Sequence, residues 1–316
     1  MVKHFVLTAA LLLTTLAGPA PAQAPAGDTS QYRISTTVDL VVLDVAVLDR
    51  QGRYARDLVK DNFEVFEDGR PQSITVFRNE DIPVAAGVIV DSSGSMGPKR
   101  AETIAAALAF VKGSNPSDDV FVVNFNERVA LGLPPDIPFT ADPQLLRSAL
   151  SRMPIGGRTA LYDAIAAGLE QIRQSRYQRR FLIVFSDGGD NESRRTLDQI
   201  TRAVQESEVT IYTIGLFDSE DPDRNPGVLK KLAHLSGGQA YLPAGMKDVP
   251  GVCRSIASDI RSRYIVGYTP GGPGKEDEFH GVEVRVHAPG RGRLHARTRT
   301  GYRVPRQPIR PKTDVP

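Results

Sequence analysis

The sequence predicts an α/β protein doubly wound around a mainly parallel sheet, with further β-structure at both ends. Three observations carry this expectation. From Ile82 onward, apolar runs of about six residues alternate with stretches of helical spacing, the pattern of βαβ units. Residues 85–90 show no polar alternation, as expected for a strand covered on both faces. Before Ile82 and after Arg263 the pattern turns β-branched and partly alternating, without helical stretches.

The chain has 316 residues and a formal net charge of +2, so bulk charge does not point to nucleic acid. It has no Trp and no run of aromatics that could stack single-stranded bases, and no nucleic-acid partner is expected. Lys3 and His4 give a short basic start, residues 5–16 are mostly apolar, and Ala20-Pro21-Ala22 fits a small-x-small cleavage pattern. Residues 1–22 are therefore expected to be a signal peptide and the mature protein to be secreted or periplasmic; an uncleaved anchor is the competing reading. No later segment has the long uncharged run of a spanning helix, so no integral membrane protein is expected after cleavage. Cys253 is the only cysteine, which excludes an intramolecular disulfide and fits an exported protein with an adequate core. Set among Val252, Ile256 and Ile260, it reads as a buried, inert thiol.

The elements follow in order. Residues 23–32 are small and polar and read as a flexible segment. Residues 33–81 read as an N-terminal β-module: a strand over 38–48, a turn at Asp49-Arg50-Gln51-Gly52, a turn or helical step over 57–62, and strands over 63–67 and 73–78 around the Asp68-Gly69 turn. The module is either sandwich-like in itself or joins another sheet, with packing against the C-terminal strands as one β-unit a further alternative. Residues 82–262 hold the α/β part. Its strands are 85–90, 120–125, 181–185 and 209–214, and Pro98 is placed to open the first helix, with Gly113 to close it. Helices are expected over 144–150, 160–174, 196–206 and 228–235, and a last one carries the stripe Val249, Val252, Ile256, Ile260. Residues 263–304 return to strands, at 264–268, 282–287 and 294–300, with a mobile glycine-rich loop over 271–274. Residues 305–316 are proline-rich and basic and read as a disordered tail.

Three separated motifs carry the chemistry. Asp91-Ser92-Ser93-Gly94-Ser95 follows the first buried strand, Gly156-Gly157-Arg158-Thr159-Ala160 opens a helix, and Ser186-Asp187-Gly188 follows another buried strand. Asp91, Ser93 and Ser95 alternate, so a turned loop can aim all three inward. Thr159 adds a hydroxyl and Asp187 a second carboxylate. Hard oxygen donors without His or Cys suit Mg²⁺, Mn²⁺ or Ca²⁺ and not Zn²⁺ or copper. Both aspartates fall at the carboxyl ends of expected parallel strands, where open α/β sheets bind their ligands. Helix capping by Asp91 and Ser95, and a plain turn at Asp187-Gly188, are the bland alternatives.

Asp91-x-Ser93-x-Ser95, Thr159 and Asp187-Gly188 together resemble the metal-ion-dependent adhesion site of von Willebrand factor type A and integrin I domains, over residues 84–262. The resemblance implies a six-stranded, mostly parallel, Rossmann-like sheet. It implies Ser93, Ser95 and Thr159 as direct ligands of a divalent cation, Mg²⁺ above Mn²⁺ or Ca²⁺, with Asp91 and Asp187 balancing charge and orienting water. It also implies an open coordination position for a carboxylate from a protein or peptide partner. The segments 58–69 and 264–268 resemble those flanking the domain in exported bacterial proteins of acidobacterial type.

An enzyme is not expected. The motifs hold no His, Lys or Glu to act as a general base, and His4, His234, His280, His287 and His295 adjoin none of them. A metal-dependent hydrolase and a metal-independent envelope scaffold remain the competing functions. D-x-S-x-S stands where a dinucleotide fold needs G-x-G-x-x-G. The acidic stretch 218–223 lacks the glycine and terminal glutamate of an EF-hand loop and reads as solvated. The arginine-rich stretch after Glu283 reads as a solvated strand face and tail.

Overall fold

The computed structural model describes residues 40–217, 222–272 and 275–305. The expected signal peptide and flexible segment, residues 218–221 of the acidic loop, 273–274 of the glycine-rich loop and all but the first residue of the tail lie outside the described residues.

The chain enters with β1 (Val41–Leu48), then β2 (Phe63–Glu67), β3 (Arg70–Gln72) and β4 (Ile74–Arg78). The α/β part follows: β5 (Ala85–Asp91), α1 (Arg100–Lys112), β6 (Asp119–Phe125), β7 (Val129–Leu131), α2 (Pro143–Leu150), α3 (Leu161–Ile172) and β8 (Arg180–Ser186). It continues through α4 (Leu197–Glu206), β9 (Val209–Gly215), α5 (Pro226–Leu235), β10 (Ala240–Tyr241) and α6 (Val249–Ile260). The last strands are β11 (Arg263–Tyr268), β12 (Phe279–Val286), β13 (His295–Arg297) and β14 (Gly301–Arg303).

The expected six-stranded sheet is present, in the order β10-β9-β8-β5-β6-β7. Every pairing is parallel except the edge pair β6–β7. All seven residues of β5 and of β9 are buried, which explains their unbroken apolar runs. Helix α1 packs with α2 and α6, while α3 packs with α4, which meets α5; the two groups cover the sheet's two faces. Gly87 lets β5 pass between its neighbours' side chains. A Cβ there would sit 2.4 Å from Phe121 and 2.5 Å from Leu182. Gly87→Ala is therefore expected to cost about 1–3 kcal/mol by overpacking, read as a lower denaturant midpoint with unchanged slope.

The strand order places a switch between β5 and β8. The chain leaves β5 toward β6 on one side and leaves β8 toward β9 on the other, so a crevice opens at the carboxyl ends of β5 and β8. Asp91 ends β5, and Asp187 follows β8 directly.

The flanking strands interleave. One antiparallel sheet runs β13-β1-β11-β4 and another β14-β12-β2-β3, so each contains strands from both ends of the chain. They share an apolar core of their own around Leu43, Val45, Phe63, Val65, Tyr264 and Val266. Neither terminal segment forms a sheet alone.

Four details depart from the sequence reading. Pro98 lies inside a 3₁₀ segment, Gly94–Lys99, and α1 begins only at Arg100. The expected strand 294–300 shortens to β13, and a further strand, β14, follows it; β13 pairs with β1 and β14 with β12, so the chain crosses between sheets. β3, β7 and β10 are two or three residues long, too short to show a period. The arginine-rich stretch is partly turned inward: Arg297 pairs with the buried carboxylate of Asp259.

That pair belongs to a buried polar network between the two parts of the fold. Asp259 Oδ2 accepts from the Tyr212 hydroxyl at 2.6 Å and from Arg297, with Arg263 Nη2 3.5 Å away. Arg263, essentially unexposed, also donates to the Gly237 and Asp44 carbonyls at 2.9 and 3.1 Å. Burial alone would pull its guanidinium pKa down, but Tyr212, Asp259 and Asp44 more than reverse this and raise it. The single thiol, Cys253, is buried against the main core, and burial pushes its pKa up to about 12, as expected for an inert cysteine.

Candidate metal centre

The crevice collects the three motifs. At the end of β5 the chain turns on Asp91, whose Oδ1 accepts from the Ser93 amide at 2.8 Å. Its Oδ2 accepts from the Ser186 hydroxyl at 2.8 Å, which ties β5 to β8. The following loop brings Ser93 Oγ to 3.3 Å from Ser95 Oγ, and Ser95 Oγ donates to Asp187 Oδ2 at 2.7 Å. Asp187 Oδ1 accepts from the Gly189 amide at 2.9 Å. Gly188, between them, has φ +81° and packs so close that a Cβ would lie 2.3 Å from the Asn225 carbonyl oxygen. Only glycine meets both conditions without strain.

The second motif clamps the first. Gly94 N donates to the Gly157 carbonyl at 3.2 Å, and Gly156 N donates to the Ser92 carbonyl at 3.0 Å. Thr159 follows on that loop, buried, its amide held by Asn191 Oδ1 at 2.9 Å. Its carbonyl accepts from the Asn191 and Glu192 amides at 3.0 and 3.1 Å. Direct hydrogen bonds or a hydroxyl contact thus join Ser93 to Asp91 and to Ser95, and Ser95 to Asp187. Thr159 is positioned through the backbone of its loop.

Asp91 and Asp187 are each only 2% exposed. Among the described residues, no Lys or Arg forms an ion pair with either. Arg100 flanks the loop but donates to Ser92 Oγ at 2.9 Å and to the Leu150 and Met153 carbonyls at 3.3 and 2.6 Å. Burial, and then the charge of Asp187, raise the Asp91 pKa from 3.8 to about 6, against the opposing hydrogen bonds of Ser93 and Ser186. Two buried carboxylates without a basic partner are costly. Hydroxyl and carboxylate oxygens with no His or Cys fit a hard divalent cation as the missing positive charge.

Residues 88–189 match the family model of the von Willebrand factor type A domain. The chain contains a von Willebrand factor type A domain. A von Willebrand factor type A protein from Catenulispora acidiphila is similar in structure, with a TM-score of 0.51 and 14% identity over 84% of this chain and 72% of that one. At that identity the likeness speaks to the fold. The vWF domain of the type V pili tip protein Mfa5 from Porphyromonas gingivalis gives a TM-score of 0.47 and 14% identity, over 57% of this chain and 95% of that one. An aerotolerance-related membrane protein from Bacteroides fragilis gives 0.46 and 16%, over 56% and 98%. No curated protein sequence matches the chain.

The A domain's crevice also uses residues to which the sequence reading gave no role. Ser186 bonds Asp91, and Asn191, which holds Thr159, in turn donates to Asp223 Oδ2 at 2.8 Å. Glu127, in the β6–β7 turn, accepts from the Arg158 amide at 3.1 Å, and Arg158 pairs with Glu192 at 3.0 Å. Ser186 stood beside Asp187 in its motif; Glu127 and Asn191 act only once distant loops meet, so spacing could not flag them.

A second group, Glu67, Asp68 and His280, brings candidate ligand atoms within 4.8 Å of one another in the flanking β-part. There both carboxylates have side-chain hydrogen-bond partners, one of them an imidazole. Asp68 bonds His280 Nδ1 at 2.8 Å, which lowers its pKa, and Glu67 accepts from the Tyr268 and Tyr302 hydroxyls at 2.6 and 3.0 Å. Asp91, by contrast, has its pKa raised, burial being the main cause.

Proposed function

We propose that Ser93, Ser95 and Thr159 hold a divalent cation, Mg²⁺ above Mn²⁺ or Ca²⁺, while Asp91 and Asp187 supply negative charge and orient water. One coordination position is left for a carboxylate presented by a protein or peptide partner. The observation that carries this reading is the pair of buried, hydrogen-bonded carboxylates without a basic partner at the sheet's switch point. Membership of a family commonly used for adhesion and protein interaction supports it. Binding rather than catalysis is favoured because the three motifs hold no histidine, lysine or glutamate to act as a base. The apolar start of the chain and its small-x-small site support a place of action in the envelope or outside the cell. No helix among the described residues is long and apolar enough to cross a membrane.

Thermal unfolding of the chain from Gln23 onward, in EDTA and in Mg²⁺, Mn²⁺ or Ca²⁺, tests the reading. A cation that binds only the folded state, at a hundred times its dissociation constant, adds about 2.7 kcal/mol. The wild type is expected to gain stability with Mg²⁺ and Asp91→Ala to gain none. If the wild type fails to respond to any of the three ions, alone or with an acidic peptide, the domain is a metal-independent scaffold.

A further inference from the structure

At the opposite end of the central sheet's strands, by the amino ends of β8 and β9, lies a cavity of about 550 Å³ between the A domain and the flanking strands. Its volume is that of a small-molecule site. Val42, Val76, Val204, Val209, Leu235 and Ile265 give it an apolar wall.

The polar lining is unbalanced. Four arginines, Arg78, Arg179, Arg180 and Arg299, face two carboxylates, Asp44 and Glu208. Arg179 is satisfied, donating to Asp44 at 2.9 Å and to the Ile260 carbonyl at 2.8 Å. Among the described residues, Arg78, Arg180 and Arg299 form no ion pair. Arg180 makes one long contact, 3.5 Å, to the Ser175 carbonyl. Three buried polar atoms here, Arg180 Nε, Arg299 Nε and Thr298 Oγ1, have no hydrogen-bond partner. Arg299 rests with its guanidinium carbon 5.4 Å from the Tyr302 ring centroid. Burial pulls its pKa down, with only partial relief from Glu208. Both arginines are half-buried, but native proteins rarely leave buried donor atoms such as these Nε groups unmet.

We propose that this cavity binds an amphipathic organic anion, with a carboxylate or phosphate head on Arg180 and Arg299 and a hydrocarbon body along the valine-rich wall. Apolar lining selects for the body. The unmet donors select for the head, since bonds from Arg to an anionic oxygen are the stronger kind. The two headgroups share this chemistry and are separated by experiment. The site is independent of the cation reading, because it lies at the opposite ends of the strands.

Calorimetric titration of the chain from Gln23 onward, in EDTA, with decanoate, decyl phosphate, decanol and inorganic phosphate tests the proposal. One site per chain is expected for decanoate or decyl phosphate, and the tighter of the two names the head. Decanol and inorganic phosphate should each bind at least tenfold more weakly. Arg180→Met and Arg299→Met should each weaken the anion at least tenfold, and Val204→Trp, which fills the cavity, should abolish binding. Circular dichroism confirms folding of each variant, and any two folded variants suffice. No saturable binding of either anion, equal affinity for decanol, or indifference to the folded variants would overturn the site.

Discussion

Replacing Asp259 with alanine is expected to destabilise the protein by about 3–5 kcal/mol, enough to unfold much of a marginally stable population. Asp259 is fully buried on α6. Its carboxylate receives Tyr212 from β9, Arg263 from β11 and Arg297 from β13. Removing it leaves the Arg263 guanidinium charged and unexposed, since arginine does not shed its proton to escape. Breaking one side of a buried pair costs more than the pair itself contributes. The change should appear in urea unfolding as a lower midpoint, with β-structure and A domain lost together, because the network joins them. A variant that loses less than about 1 kcal/mol would show that water reaches Arg263 and replaces the carboxylate.

The second large effect concerns pH in the cation-free protein. Asp91 has its pKa raised from 3.8 to about 6 in the fold. The folded protein then holds this proton more tightly than the unfolded chain does. Asp91 therefore weakens the fold progressively as pH rises from about 4 to about 6, and fully above that, by roughly 3 kcal/mol at most. Asp118 and Asp190 also have raised pKa values, so the whole-protein profile is a sum. The difference between wild type and Asp91→Asn isolates the group. In EDTA the variant should gain stability relative to wild type across that window and stay ahead at pH 7. With Mg²⁺ the order should reverse at pH 7, because protons no longer compete for the carboxylate and only the wild type has the charge that favours the ion. A difference profile flat from pH 4 to 7 in EDTA would contradict the burial of an uncompensated Asp91.

Much of this was legible in the sequence, and for a physical reason. A strand covered on both faces must be apolar throughout, so 85–90 and 209–214 announced themselves. Oxygen donors needed at the strand ends must follow those runs at once, so Asp91, Ser93, Ser95 and Asp187 stood at readable positions. Thr159 had only its loop glycines and its place in the order to mark it. That the two terminal β segments pack as one unit was readable as an alternative, but the pairing order of β1, β4, β11 and β13 was out of reach, because pairing between strands some two hundred residues apart leaves no local period. So were the buried charges. Arg263 looked like a domain boundary and Arg299 like a solvated strand position, since local sequence does not say which face of a short strand another part of the fold will cover.

Crystals grown from the protein in Mn²⁺, with anomalous diffraction recorded at the manganese edge, test the proposed cation site most directly. An anomalous peak is expected in the crevice, within coordination distance of Ser93 Oγ, Ser95 Oγ and the Thr159 hydroxyl, and absent from Asp91→Ala crystals. No peak there at saturating Mn²⁺, or a peak confined to Glu67, Asp68 and His280, would contradict it.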